Sequence, residues 1–99
     1  MIRHIVFWKL QDSPEQPKAA SMARIKAEME ALPAVIPEIG HLEVCPNLRA
    51  GDDEYDLMLY SEFADAAALQ VYQQHPAHKA ASAFVATVRI GRALFDGEC

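Results

Sequence analysis

Apolar and polar residues alternate from Ile2 to Leu10, and that alternation predicts a strand. Ile2, His4, Val6, Trp8 and Leu10 fall on one face, and Arg3, Ile5, Phe7 and Lys9 on the other. Both faces are apolar at mid-strand, so this strand is expected to be central and covered on both sides. From Ser13 the period changes. Met22, Ile25, Met29 and Leu32 form a helical stripe, with Lys18, Arg24, Lys26, Glu28 and Glu30 off it. Ser13 with Gln16 fits a capping box, Pro14 fits the first helical position, and Pro17 is early enough to be tolerated. Pro33 and Pro37 close that helix. Ile39 to Leu48 returns to period two, with Leu42 and Val44 on one face and His41, Glu43 and Cys45 on the other. The polar run from Arg49 to Glu54 reads as a hairpin loop. Tyr55 to Phe63 comes next as a third strand, with Tyr55, Leu57, Leu59 and Phe63 on one face and Asp56, Met58, Tyr60 and Glu62 on the other.

Asp65 then fits the N-cap of a helix over Ala66 to Gln74. Pro76 pushes His75 out of the α region, so that helix should stop near Gln74. Pro76 is itself suited to a first helical position, and a new helix is expected from there to about Thr87, with Ala77, Ala81 and Phe84 at helical spacing. Val88 to Asp96 alternates less cleanly and reads as the last strand. Two strand-helix-strand units in succession predict an α+β domain over residues 1–99, with the ferredoxin-like βαββαβ order and a four-stranded antiparallel sheet. Helices can cover only one face of such a sheet. Ile5, Phe7, Met58 and Tyr60 point to the other, and each would cost roughly 1.5–3 kcal/mol if left in water. A second copy packing its own open face there removes that cost, so an isologous homodimer is expected.

Composition narrows the partners. The 99 residues are 52% apolar and carry a net charge of −5. No run or face of lysine and arginine appears, which argues against nucleic acid and against an anionic membrane. The two cysteines, Cys45 and Cys99, make neither a disulfide framework nor a Cys-x-x-Cys site. The chain enters its first strand with no basic leader or long apolar segment, and a cytoplasmic location is the expectation.

The chemistry concentrates at the predicted helix break, Tyr72-Gln73-Gln74-His75-Pro76-Ala77-His78. His78 falls in the first turn of the second helix, where the dipole disfavours imidazolium and keeps the ring neutral. A neutral imidazole there suits a base, and Tyr72 on the preceding turn supplies a phenolic O–H. The plainer alternative has His75 capping a helix and Tyr72 packing in the core. His4, a lone imidazole on a buried strand face, is in the same way either a site residue or a core histidine with a satisfied hydrogen bond. A third alternative gathers His4, His75 and His78 around a metal, although neither carboxylate nor cysteine is clearly placed to complete the set.

The opening Arg3-His4-Ile5-Val6-Phe7-Trp8-Lys9-Leu10, the Tyr-x-x-His-Pro-x-His segment at 72–78 and the order of elements resemble the stress-responsive dimeric α/β-barrel (Dabb) proteins over essentially the whole chain. The resemblance implies a homodimer whose two sheets form a barrel with the helices outside. One plant member, olivetolic acid cyclase, closes a linear polyketide by aldol condensation without a metal or organic cofactor. Its acid/base pair matches Tyr72 and His78, and a strand histidine in its pocket matches His4. Two of its other pocket residues fall on Leu57 and near Met29 here, so its substrate does not carry over. The resemblance implies an apolar ligand pocket between sheet and helices lined by Val6, Trp8, Leu57, Leu59, His75 and Phe84. It is compatible with two functions. One is a small-molecule-binding stress protein. The other is a cofactor-independent enzyme of the polyketide-cyclase or lyase kind.

Overall fold

The alternation of β1 (Ile2–Leu10) is realised residue for residue. Ile2, His4, Val6, Trp8 and Leu10 are all buried, while the residues between them are half-buried or exposed. A computed structural model describing Met1–Cys99 places around it α1 (Lys18–Glu30), a short 3-10 turn (Leu32–Ala34), β2 (Ile39–Pro46), β3 (Leu57–Phe63), α2 (Ala66–Gln74), α3 (Pro76–Val88) and β4 (Arg89–Glu98). The strands make one antiparallel sheet in the order β2-β3-β1-β4, the ferredoxin-like arrangement that the order of elements predicts. No helix is long and apolar enough to cross a membrane.

All the helices lie on one side of this sheet. Ser21, Ile25 and Met29 of α1, Leu69 and Tyr72 of α2, and Ala81, Val85 and Val88 of α3 are buried. They meet the inward face of β1 and Leu57, Leu59 and Phe63 of β3 in one apolar cluster. The other sheet face has no helix over it. Ile5, Phe7, Met58 and Tyr60 are only half-buried there, and Phe95 of β4 is 60% exposed. Phe7 finds partial cover from Tyr55, whose ring lies 5.7 Å from its own.

Two bulges break the period-two rule. The β2 register shifts between Ile39 and His41, so Ile39 and Leu42, three residues apart, are both buried. The β4 register shifts opposite Lys9 and Leu10. Arg92 pairs with Trp8 and Arg89 with Leu10, both inward-facing positions of β1.

Strand β2 ends at Pro46 and not at Leu48, and larger departures from expectation fall at three places. First, α1 begins at Lys18 and not at Pro14. The Ser13 hydroxyl does accept from the Gln16 amide at 3.0 Å, but this closes an isolated turn. Pro17 holds extended backbone at the N-cap, and Asp12 accepts from the Lys18 amide at 2.9 Å in place of the missing cap. Second, β3 begins at Leu57, and Tyr55 and Asp56 lie on the faces opposite to those their parity predicts. Asp56 is fully buried on the helix side, while Tyr55 lies against Phe7 on the open side. Third, Val88 completes α3, whose buried stripe is Ala81, Val85 and Val88, and β4 runs on past Asp96 to Glu98.

Partners offset the burial of Asp56. It accepts from the Leu10 amide at 2.8 Å and from Lys18 Nζ at 3.2 Å, with Lys9 Nζ at 4.0 Å. Replacing it by alanine strands a buried N–H and removes the anion those ammonium groups share. Asp56→Ala should therefore lose about 2–3 kcal/mol, with Asp56→Asn losing less because it keeps an acceptor. Urea unfolding should show this as a lower midpoint at unchanged slope.

Candidate functional site

Pro76 carries no N–H, and the chain breaks its helix there. His75 adopts extended backbone, with ψ of 136°, and serves both helices at once. Its amide donates to the Tyr72 carbonyl at 3.2 Å, ending α2, and its Nδ1 accepts from the Ala77 amide at 3.0 Å, starting α3. Tyr72 is thereby held on the last full turn of α2 and His78 on the first turn of α3. Their rings meet with centroids 4.3 Å apart. His4 approaches from β1 beneath them, 5.9 Å from the Tyr72 ring in an edge-on arrangement.

Hydrogen bonds fix the tautomers. The Gln73 carbonyl can only accept, so His78 Nδ1 donates to it at 3.2 Å, and the Ser82 hydroxyl donates to Nε2 at 3.2 Å. This is the neutral form. His4 Nδ1 donates to the carboxylate of Asp96, its register partner on β4, and Nε2 is the ring nitrogen left for the site. The Tyr72 hydroxyl makes no hydrogen bond within the chain, although the residue is only 1% exposed. Every fully enclosed side-chain polar atom has a partner, so this hydroxyl draws its small exposure from the hollow it faces.

That hollow measures about 460 Å³ and lies between the sheet and α3. Val6, Trp8 and Leu59 line it from the sheet, and Val85 from α3. His4, Tyr72, His78 and Ser82 supply its other polar groups, and Lys79, Arg89 and Arg92 its cations. Six of the expected site residues thus converge: His4, Val6, Trp8, Leu59, Tyr72 and His78. Three do not. Leu57 is closed into the core at 2% exposure, His75 is engaged in capping both helices, and Phe84 faces α1, where the Arg24 guanidinium lies 3.7 Å over its ring. His75 being so used, the three-histidine cluster does not assemble, and no three His, Cys, Asp or Glu side chains are grouped as metal ligands would be.

Ser82, Arg89 and Arg92 were not expected at the site. Ser82 is legible afterwards, because it lies four residues beyond His78 and so shares its helix face. The arginines were hidden, because Arg89 and Arg92 have opposite parity and only the bulge brings them to one side.

The environment drives the two central groups apart. Burial alone pushes the Tyr72 phenol well above the ordinary tyrosine range, so it stays a donor. Burial also holds the His78 imidazole below its ordinary range; the Gln73 carbonyl opposes this, and His4 and His75 add to it. Loss of solvent is thus the leading cause that holds His78 in its neutral form.

Comparison with known proteins places the chain in a family. The Dabb model, the stress responsive A/B barrel domain, matches residues 2–99. An uncharacterised protein of Streptomyces coelicolor is 35% identical over 80 residues, 81% of either chain. A dimeric protein of unknown function and ferredoxin-like fold from Bacteroides fragilis superposes with a TM-score of 0.89 at 37% identity, covering 99% of this chain and 95% of its own. The hydroxynitrile lyase of Passiflora edulis shares the fold at 17% identity, with a TM-score of 0.82 over 97% of this chain and 90% of its own.

The state of His78 has a consequence for stability. In the unfolded chain its imidazole takes up a proton near pH 6.5, whereas in the fold it resists protonation. As pH falls below that value the unfolded state binds more protons, and stability declines until the lower, folded value is passed. Unfolding free energies measured from about pH 8 down to about pH 5 should fall more steeply for the wild type than for His78→Gln.

Proposed function

We propose that this chain, which belongs to the stress-responsive A/B barrel (Dabb) family, works as a homodimer that holds a small, largely apolar molecule between its sheet and its helices. In this reading residues 1–99 act as one cytoplasmic domain in a stress-linked role, and no nucleic acid or membrane takes part. The observation that carries it is the 460 Å³ hollow, with an apolar floor and a few convergent polar groups, among them a phenol with no partner in the chain. Sites for small molecules have this composition and size. The dimer is supported by the uncovered sheet face with Ile5, Phe7, Met58 and Tyr60, and by the dimeric state of the similar Bacteroides protein. Native mass spectrometry of protein purified from its own host tests both parts together. The expected spectrum shows twice the chain mass with a retained small molecule. A monomer, or a dimer of bare chains under the same gentle conditions, counts against the corresponding part.

A second reading is favoured by the opposed shifts of Tyr72 and His78, since paired groups with separated affinities for the proton make an acid/base set. Here the protein is a cofactor-independent enzyme of the kind its resemblance to olivetolic acid cyclase suggests. His78 Nε2, released from Ser82, takes a proton from the carbon next to a carbonyl. The C–H bonding pair becomes the C=C bond of the enolate, the carbonyl π pair moves onto oxygen, and the Tyr72 O–H donates to that oxygen, with His4 orienting the ligand. On a panel of poly-β-keto substrates, His78→Ala should lower turnover by roughly 10²–10⁴-fold. Turnover that survives His78→Ala unchanged removes this role.

A further inference from the structure

The charge of the hollow runs against that of the chain. The protein carries a net −5, yet the hollow is lined by Lys79, Arg89 and Arg92 and by no aspartate or glutamate. None of the three takes part in an ion pair or donates a side-chain hydrogen bond within the chain; the exposed Arg3 and Arg49 are likewise unpaired but scattered, whereas Lys9, Lys18, Arg24 and Lys26 all pair with carboxylates. Asp96, which shares a β4 face with Arg92, is occupied by His4. The arrangement is built by the backbone. Arg89 and Arg92 would lie on opposite faces of a regular strand, and the register shift between Gly91 and Arg89 turns both toward the helices. Bulges of this sort re-aim side chains at functional sites.

Resting on the reading of the hollow as a ligand site, we infer that its ligand is an anionic amphiphile: a small organic carboxylate whose apolar body lies on Val6, Trp8 and Leu59. Its head group is held by the guanidinium groups of Arg89 and Arg92, with Lys79 adding charge. Two arginines present planar forks suited to a carboxylate, which a single ammonium does not. The Tyr72 hydroxyl, deep in the same hollow and without a partner, remains free for a second oxygen on the body of the ligand.

The only tryptophan of the chain, Trp8, lines the hollow and reports on its contents. Octanoate and octanol share an apolar chain and differ in the charge of the head, so titrating each while following Trp8 fluorescence isolates the anion. Because the arginines sit at an exposed rim, octanoate should bind about tenfold more tightly than octanol at low ionic strength, and the ratio should shrink with added salt. Arg89→Gln combined with Arg92→Gln should remove most of that preference, leaving only what Lys79 sustains, and leave octanol binding unchanged. Equal affinities in the wild type, or a preference undiminished by the double substitution, overturns the inference and leaves the ligand site standing. If neither compound perturbs Trp8 or displaces the other, the inference falls together with the site.

Discussion

Proline cannot donate a hydrogen bond, and at position 76 that deficit organises the half of the molecule that carries the candidate site. A continuous helix through residues 66–88 would place Tyr72 and His78 six residues apart, well round the helix from one another. The break instead stacks the end of one helix on the start of the next, with His75 capping both, and brings the two rings to 4.3 Å. Backbone hydrogen bonds at the break therefore bring the two rings of the candidate site into contact. Neither helix could rotate without losing a cap, which costs on the order of 1 kcal/mol.

The second constraint is the one-sidedness of the sheet. Both helical layers compete for the same face, and the break in the second leaves a gap over β1 that neither fills. Helix α1 covers β2 and α3 packs on α1, so the hollow opens beside β1 and the edge strand β4. This explains why its floor is the inward face of β1, His4, Val6 and Trp8, and why its cationic rim comes from β4. It also separates the two surfaces that matter. The hollow lies on the helix side, while Ile5, Phe7 and Phe95 lie on the bare side. A partner copy can seal the second without entering the first.

Much of this was legible in the chain, and the exceptions share one cause. Strand β1, the cap at Asp65 and the break at Pro76 are fixed by rules acting over a few residues, and each formed where those rules put it. The site residues that depend only on them, His4, Tyr72 and His78, converged. What could not be read locally was parity. Leu57 and Phe84 have the right hydrophobicity, but their neighbours enclose them, and Phe84 turns to Arg24 on another helix. Asp56 looks like an outward strand residue until its carboxylate is seen to accept from Leu10, forty-six residues away in sequence. Arg89 and Arg92 reach one face only through a bulge that no alternation of residue types announces. Each of these is settled by a long-range partner, which a window of a few residues does not contain.

Self-consistency elsewhere gives the exceptions their weight. Buried Asp56 has amide and ammonium partners, buried Ser61 donates to the His4 carbonyl at 3.1 Å, and buried Ser21 accepts from Gln16 at 3.2 Å. No fully enclosed side-chain polar atom is left without a bond. Among the groups left unengaged, a phenol, two guanidinium groups and an ammonium line one hollow, while the other unpaired guanidinium groups, of Arg3 and Arg49, are scattered on the exposed surface. Filling that hollow with a few larger apolar side chains would add burial to a domain small enough to have little to spare. Departures from local optimality that collect in one place support the proposal that the hollow serves a molecule outside the chain. In the proposed reading, a hydrogen-bond donor and a set of cations on one hollow call for a ligand that brings acceptors and negative charge.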